Sequence, residues 1–201
     1  MTEPLLIIIA APSGGGKSTV LKRVFDEVPD LLFSISHTTR APRPGEESGR
    51  EYFFVDPPAF RDLIGKGAFL EWAEVHGRLY GTARAELDRA RAAGKDLVLD
   101  IDVQGAAQIV KAHPGSLSIF LKPPSEEVLR ERLRGRGSES EESVTVRLYN
   151  ATGEIQRASE FRYVVVNDRL DATVETVKRL IEEARAARDG SPLRPAGSAR
   201  K

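Results

Sequence analysis

The feature that most constrains the fold is a glycine-rich turn placed directly after a short aliphatic run near the start of the chain. Residues 5–10 read LLIIIA, the continuous apolar pattern of a strand covered on both faces of a parallel sheet. Glycines occupy positions 14 to 16, and apolar residues then recur at helical spacing from Lys17 until Pro29. This order of strand, loop and helix predicts an α/β fold.

The turn also has the spacing of a phosphate-binding loop. Residues 11–18 match the pattern G-x-x-x-x-G-K-[ST], except that Ala11 replaces the first glycine. Successive glycines let backbone N–H groups converge on phosphate oxygens, and the following helix adds its positive amino end. Lys17 would then reach the β- and γ-phosphates of a nucleotide, and Ser18 is the expected Mg²⁺ ligand. A flexible strand-to-helix turn without a ligand is the alternative.

Further short apolar runs alternate with helical stretches along the rest of the chain. Residues 97–101, 117–121 and 163–166 have strand patterns. They predict a three-layer core in which helices flank a mostly parallel sheet. Asp100 lies near the end of the first of these runs, where a carboxylate can face the phosphate loop and hold Mg²⁺ or its waters. Ser125 and the two acids after it predict a helix start.

Composition and charge exclude several classes of protein. Thirty basic and thirty acidic residues balance to zero, which gives no general attraction to a nucleic acid polymer or an anionic membrane. Without cysteine, the chain cannot form disulfides, thiolate metal sites or a cysteine nucleophile. The aliphatic run at residues 5–11 is far shorter than the ~20 residues that span a bilayer. We therefore expect a cytoplasmic protein, with a disordered tail at residues 190–201.

Several further motifs point to one family. Residues 34–46 (SISHTTRAPRPGE) place two arginines and four hydroxyls beside a turn, and residues 51–54 (EYFF) follow. Other segments of this kind are 71–73 (EWA), 80–82 (YGT), 100–105 (DIDVQG), 132–137 (RLRGRG) and 166–168 (VND). In order and spacing, residues 5–180 resemble the guanylate kinases, which belong to the P-loop nucleoside monophosphate kinases.

The resemblance implies a GMP site in the segment that follows the first helix. It places the GMP phosphate on arginines and tyrosines, which agrees with bidentate guanidinium binding and with neutral phenol donors. It places guanine beside Glu71, whose carboxylate can accept both the N1–H and the neighbouring exocyclic amine. Without the family, Glu71 would be a surface acid beside Trp72. The implied GMP-binding residues are Ser36, Arg40, Arg43, Tyr52, Glu71, Tyr80, Thr82, Asp100 and Asp102.

The resemblance also implies ATP as the phosphoryl donor and a set of catalytic residues, most of them basic. The implied ATP-binding residues are Ala11, Pro12, Ser13, Gly14, Gly15, Gly16, Lys17, Ser18, Thr19, Arg136 and Asn167. Lid arginines would close over the phosphates and neutralise the charge of the transferred group. The implied catalytic residues are Lys17, Asp100, Arg132, Arg136 and Arg147. The cofactor is Mg²⁺, held with the ATP phosphates by Ser18 and by Asp100, directly or through water.

The implied organisation has three parts and a tail. A P-loop core would comprise residues 1–33, 84–124 and 148–189, with a small mixed-β GMP-binding segment at 34–83 and a helical lid at 125–147. The nucleophile would be an ionised phosphate oxygen of GMP, so no side-chain general base is needed. A noncatalytic binding module of the same fold, a kinase for another nucleoside monophosphate and a P-loop switch are the alternatives. The sequence leaves open whether the chain forms a homo-oligomer.

Overall fold

The computed structural model describes residues 3–135 and 141–190. The strands are β1 Leu6–Ala10, β2 Leu31–Phe33, β3 His37–Thr38, β4 Phe53–Phe54, β5 Phe69–Val75, β6 Arg78–Ala83, β7 Asp96–Asp100, β8 Leu117–Lys122 and β9 Tyr163–Val166. The helices are α1 Lys17–Glu27, α2 Pro57–Gly65, α3 Arg84–Ala93, α4 Val103–Ala112, α5 Glu126–Arg134, α6 Glu141–Gln156 and α7 Leu170–Arg188, with a 3₁₀ helix at Arg157–Glu160.

The core is built on a five-stranded sheet in the order β2-β7-β1-β8-β9. Every neighbouring pair in this sheet is parallel. The central strand β1 is buried along its whole length, and its alternate residues enter two different apolar clusters. Ile7 and Ile9 pack against α1 and α7, whereas Leu6 and Ile8 face the side covered by α3 and α4. The prediction of a three-layer α/β core is confirmed.

The parallel arrangement brings the carboxyl ends of the core strands to one edge of the sheet. There β1 leads into the glycine-rich loop, β7 ends on Asp100, and β9 leads to Asn167. The register places Asp100 beside Ile9, one residue before the last of β1. Because ligands of parallel α/β sheets bind beyond the carboxyl ends of the strands, the candidate site belongs at this edge.

A second, four-stranded sheet lies within residues 37–83 and has the order β4-β3-β6-β5. It is mixed, because β3 pairs parallel with β4 and antiparallel with β6. The hairpin β5-β6 turns at His76 and Gly77, both of which have positive φ, as tight hairpin turns require. Strand β4 is limited to Phe53 and Phe54, because a turn occupies the residues before it. The predicted mixed-β segment is confirmed.

The helices α5 and α6 pack against each other beside the glycine-rich loop. Ser125 caps α5 by accepting from the Val128 amide, as the sequence predicts. Leu129 and Leu133 of α5 contribute to the apolar contact with α6. Residues 136–140, which join these helices and include Arg136, lie outside the described residues. So does the predicted tail apart from Gly190. In the described ranges, no helix has the length and apolarity needed to cross a bilayer.

Candidate active site

The glycine-rich loop requires glycine at particular positions for geometric reasons. Gly14 and Gly16 have φ of 82° and 86°, in the left-handed region that side chains disfavour. A Cβ at Gly14 would lie 2.9 Å from Leu133 Cδ2, and one at Gly16 would collide with the Asn167 amide. Ala11 is not among the residues with positive φ. The absence of the first motif glycine therefore imposes no backbone strain on this loop.

Lys17 and Asp100 form an ion pair at the mouth of the loop. Lys17 is the first residue of α1, and Asp100 is the last residue of the neighbouring strand β7. Both side chains stay partly exposed, so each can exchange its partner for a ligand. The structure thus brings together the cation and the strand-end acid that the sequence placed at the phosphates.

Arg132 directs an unused donor toward the same loop. Its Nη2 donates to the Asn167 carbonyl at 3.0 Å, while its Nη1 is buried and has no hydrogen-bond partner among the described residues. That nitrogen lies beside Gly16, on the glycine-rich loop. A buried guanidinium nitrogen without an acceptor is costly unless an anion completes it. The arrangement is suited to a phosphate group held between the loop and α5.

Asn167 has a more specific contact than its position after β9 indicates. Its buried side chain donates from Nδ2 to the Gly15 carbonyl at 2.8 Å. The family resemblance implies that Asn167 binds ATP, and the structure shows that its side-chain amide supports the glycine-rich loop. Ser18 and Thr19 follow in the first turn of α1 and are exposed.

Glu71 is the most unusual ionisable group of the second sheet. It lies opposite Thr82 in the β5-β6 pair and is only 4% exposed. Its Oε1 accepts from the Thr82 amide at 2.9 Å and from the Thr82 hydroxyl at 2.7 Å. The Ser36 hydroxyl lies 3.3 Å from that of Thr82. Burial raises the pKa of Glu71 to about 7, the Thr82 donors oppose this, and the charge of Asp102 adds to it.

Asp102 faces the same pocket from the core. It caps α4, accepting from the Gly105 amide at 2.9 Å through Oδ1. Gly105 has no room for a side chain, because a Cβ there would collide with Oε2 of Glu71. The carboxylates of Glu71 and Asp102 therefore approach each other across the first turn of α4.

Arg40 and the tyrosines form a separate cluster near this pocket. The Arg40 guanidinium lies 5.3 Å from the centroid of the Tyr52 ring, and the rings of Tyr52 and Tyr80 are 6.0 Å apart. Arg40 donates to Glu46 at 2.9 Å, and this bond lowers the pKa of Glu46. Arg43 is exposed, and its backbone amide donates to the same carboxylate at 2.7 Å. Glu46 thus holds the two candidate phosphate-binding arginines in one loop.

A cavity of about 230 Å³ connects the Lys17–Asp100 pair with Glu71, Asp102 and the two tyrosines. Arg136 lies outside the described residues. The other predicted residues that do not line the cavity are Pro12, Gly14, Gly15, Gly16, Ser18, Thr19, Arg40, Arg43, Thr82, Arg132, Arg147 and Asn167. Those that line it come from both sheets and the glycine-rich loop. The predicted residues in its wall are Ala11, Ser13, Lys17, Ser36, Tyr52, Glu71, Tyr80, Asp100 and Asp102.

Glu154 also lines the cavity, although the sequence analysis does not identify it. It lies on α6, two turns after Arg147, and its Oε2 is buried with no hydrogen-bond partner in the part of the chain that the structure describes. Burial raises its pKa, while the Ser13 backbone and the charge of Lys17 oppose that effect. The only sequence signal is this helical spacing from Arg147, which is too common on helices to single out a residue.

The comparisons with known proteins agree with this geometry. The family model described as guanylate kinase matches residues 3–184. A guanylate kinase of Geobacter sulfurreducens is 47% identical over 188 residues, covering 92% of this chain and 93% of the relative. One from Thermotoga maritima is 45% identical over 181 residues, covering 90% and 87%. The crystal structure of guanylate kinase from Anaplasma phagocytophilum superposes with a TM-score of 0.76 at 30% identity, covering 98% of this chain and 92% of that one. This chain belongs to the guanylate kinase family.

Proposed function

We infer that this protein is an ATP:GMP phosphotransferase, which converts ATP and GMP into ADP and GDP. The observation that carries the inference is the placement of two different binding environments on one cavity. One is the glycine-rich loop with Lys17, and the other is a buried carboxylate, Glu71, set among hydroxyls. The first suits the phosphates of a donor nucleotide, and the second suits the edge of a guanine. We expect dGMP to be accepted as well.

On the acceptor side, we propose that Glu71 reads the guanine edge. Guanine presents its N1–H and its exocyclic amine side by side, so an ionised carboxylate can accept from both. Asp102 lies close enough to share the amine. Thr82 donates its hydroxyl proton to Glu71, so Ser36 is the donor in its contact with Thr82, and Ser36 would exchange that acceptor for O6 when guanine binds. We assign the phosphate of GMP to Arg40, Arg43, Tyr52 and Tyr80, and guanine and phosphate binding together to residues 34–83.

On the donor side, we propose that residues 11–19 bind the ATP phosphates and that Asn167 adjoins the adenine. Ser18 and Asp100 supply a hydroxyl and a carboxylate oxygen, the hard donors that Mg²⁺ prefers together with phosphate oxygens. Within residues 3–135 and 141–190, no group of three His, Asp or Glu side chains could hold a metal by itself. This fits an ion shared with the nucleotide, which would neutralise phosphate charge.

For catalysis, we propose positioning and electrostatic stabilisation rather than acid–base chemistry. Lys17 begins the helix that follows the loop, Nη1 of Arg132 lies beside Gly16 of the loop, and Arg147 lies on α6. Closure of a lid at residues 125–147, which contains Arg136, would exclude water that could otherwise accept the phosphoryl group. We place the protein in the cytoplasm, because its substrates are nucleotides and its lack of cysteine suits a reducing compartment.

Direct product analysis tests this function. With ATP, GMP and Mg²⁺, we expect ADP and GDP to form in equal amounts, and we expect a chelator to abolish turnover. Chromatography of the nucleotides measures both products. Formation of ADP without GDP would indicate an ATPase and contradict the proposal. A noncatalytic module would yield neither product, but the intact Gly16, Lys17 and Asp100 argue against that alternative.

The raised pKa of Glu71 gives a prediction for the pH dependence of GMP use. Guanine requires the carboxylate, so protonation below about pH 7 should weaken binding. Between pH 8 and pH 6 we expect the KM for GMP to rise about tenfold from this group alone. The phosphate of GMP also titrates near pH 6. The Glu71→Gln variant lacks the carboxylate, so the pH dependence of its initial rates shows the contribution of the GMP phosphate. An identical pH profile in both enzymes would contradict the assignment.

A further inference from the structure

The strand that carries Glu71 is an edge strand. On one side β5 pairs with β6, and on the other side no strand within residues 3–135 and 141–190 pairs with it. Helix α4 of the core lies along this open side. Gln108 of α4 donates from Nε2 to the Trp72 carbonyl at 2.7 Å, and its Oε1 accepts from the Trp72 amide at 3.3 Å. One side chain thus makes the reciprocal pair of bonds that a neighbouring strand would make.

A second glutamine repeats the contact one helical turn earlier. Gln104 donates to the Glu74 carbonyl at 3.2 Å and to Asp102 Oδ2 at 3.1 Å. The two glutamines are four residues apart on α4, and their partners are two residues apart on β5. Both separations are about 6 Å along the element, so the two contacts can form together. We call Gln104 and Gln108 the glutamine clamp.

The clamp lies next to the two carboxylates that face the base pocket. Along β5, Trp72 and Glu74 are exposed, whereas Glu71 and Ala73 are buried on the opposite face. At the start of α4, Asp102 caps the helix and Gly105 contacts Glu71. The separation of Glu71 and Asp102 is therefore determined by how α4 sits against β5. Strand β5 belongs to the second sheet and α4 packs on the first, so contacts between β5 and α4 help to fix that separation.

We propose that Gln108, with Gln104, is a positioning residue for guanine recognition that sets the spacing of the Glu71 and Asp102 carboxylates. The proposal rests on the proposed function, because it assumes that both carboxylates read the guanine edge. Because the clamp consists of side-chain amides, it can hold the edge of the second sheet against α4 without joining the two sheets into one. The clamp holds α4 and β5 at a fixed position relative to each other. Neither glutamine lines the cavity.

The test uses Gln108→Met, which keeps the length of the side chain and removes both hydrogen bonds to Trp72. We expect the KM for GMP to rise about tenfold, with kcat and the KM for ATP changed less than about twofold. The decisive readout is the ratio of kcat/KM for GMP to that for IMP, which keeps N1–H but lacks the exocyclic amine. Misplaced carboxylates should lower this ratio about fivefold or more. A merely structural role would reduce both substrates equally.

Binding can be followed without turnover, because Trp72 is the only tryptophan of the chain and adjoins Glu71. Titration of its fluorescence with GMP should give a Kd about tenfold weaker in Gln108→Met than in the wild type. Lys111→Ala, at an exposed position of the same helix, is the matched control and should leave the Kd and the ratio unchanged.

The outcomes separate the clamp from the proposed function. If the wild type fails to phosphorylate GMP, the proposed function fails. If the wild type is active and Gln108→Met keeps the Kd and the GMP to IMP ratio within twofold of it, the clamp is wrong. The clamp is also wrong if Gln108→Met lowers the Tm but leaves the Kd and the GMP to IMP ratio unchanged. Should Gln108→Met not fold, Gln104→Ala decides: a lowered ratio supports the clamp, and an unchanged ratio overturns it.

Discussion

Replacing Lys17 by alanine is expected to lower kcat by about 100- to 1,000-fold or more while the fold is retained. Removal of one preorganised donor from a transition-state site commonly has this effect, which corresponds to about 3–4 kcal/mol. In this protein the loss is compounded by Asp100, the ion-pair partner of Lys17. Without the lysine, that carboxylate would face the phosphates with its charge uncompensated.

The stability of the Lys17→Ala variant separates this explanation from misfolding. The pair with Asp100 is partly exposed, so its loss should change the free energy of unfolding by less than about 1 kcal/mol. Lys22→Ala, at an exposed position of the same helix, is the matched control and should keep full activity. Denaturant unfolding and the coupled ADP assay measure the two quantities. A Lys17→Ala enzyme within threefold of the wild type would contradict the phosphate assignment.

Replacing Glu71 by glutamine is expected to reduce kcat/KM for GMP by about 100- to 1,000-fold. The amide can still accept one guanine hydrogen bond, but it turns a donor toward the other guanine donor, and buried mismatches of this kind are strongly discriminating. The KM for ATP should change little, because Glu71 lies on the second sheet rather than on the glycine-rich loop. Steady-state kinetics with each substrate varied in turn will measure this split.

The same substitution should stabilise the protein at high pH. The folded pKa of Glu71 is raised from 4.5 to about 7, so the unfolded chain binds fewer protons between these values. Stability from this group is therefore complete below pH 4.5 and falls as pH rises to 7. Glutamine does not ionise and can still accept from Thr82. The free energy of unfolding of Glu71→Gln should therefore exceed that of the wild type by up to roughly 3 kcal/mol at pH 8. Little difference is expected near pH 4.

Glu74→Gln is the matched control for this pair of effects. Glu74 lies three residues after Glu71 on β5 and on the exposed face, so its neutralisation should alter neither GMP use nor the pH dependence of unfolding. Chemical denaturation at pH 4 and pH 8 gives the comparison. If Glu71→Gln kept wild-type activity toward GMP, the guanine assignment would be wrong.

The core of the fold could be predicted from the sequence because its signals are local. A strand buried on both faces is a continuous apolar run, and the glycine-rich loop follows β1 without a gap. The second sheet was harder to define. Its strands β3 and β4 have only two residues each, and their pairing depends on contacts between distant segments. The sequence predicts a mixed-β segment there but not the order of its strands.

The site shows the same division. Lys17 and Asp100 could be placed together because both follow strands of one parallel sheet. The roles of Asn167 and Glu154 toward the loop could not be predicted, since they depend on how β9 and α6 pack beside it. The burial of Glu71 also comes from tertiary packing, because its neighbour Trp72 is exposed and the local pattern fits a surface acid. The glutamine clamp has no local signal.

The central claim is that this chain transfers phosphate from ATP to a guanine nucleotide, and a panel of acceptors tests it most directly. With ATP and Mg²⁺, we measure kcat/KM for GMP, dGMP, AMP, CMP and UMP. The account predicts that GMP and dGMP are used well and that the other three are poorer by about 1,000-fold or more, because their bases cannot satisfy the buried Glu71. Equal rates with AMP and GMP would contradict it.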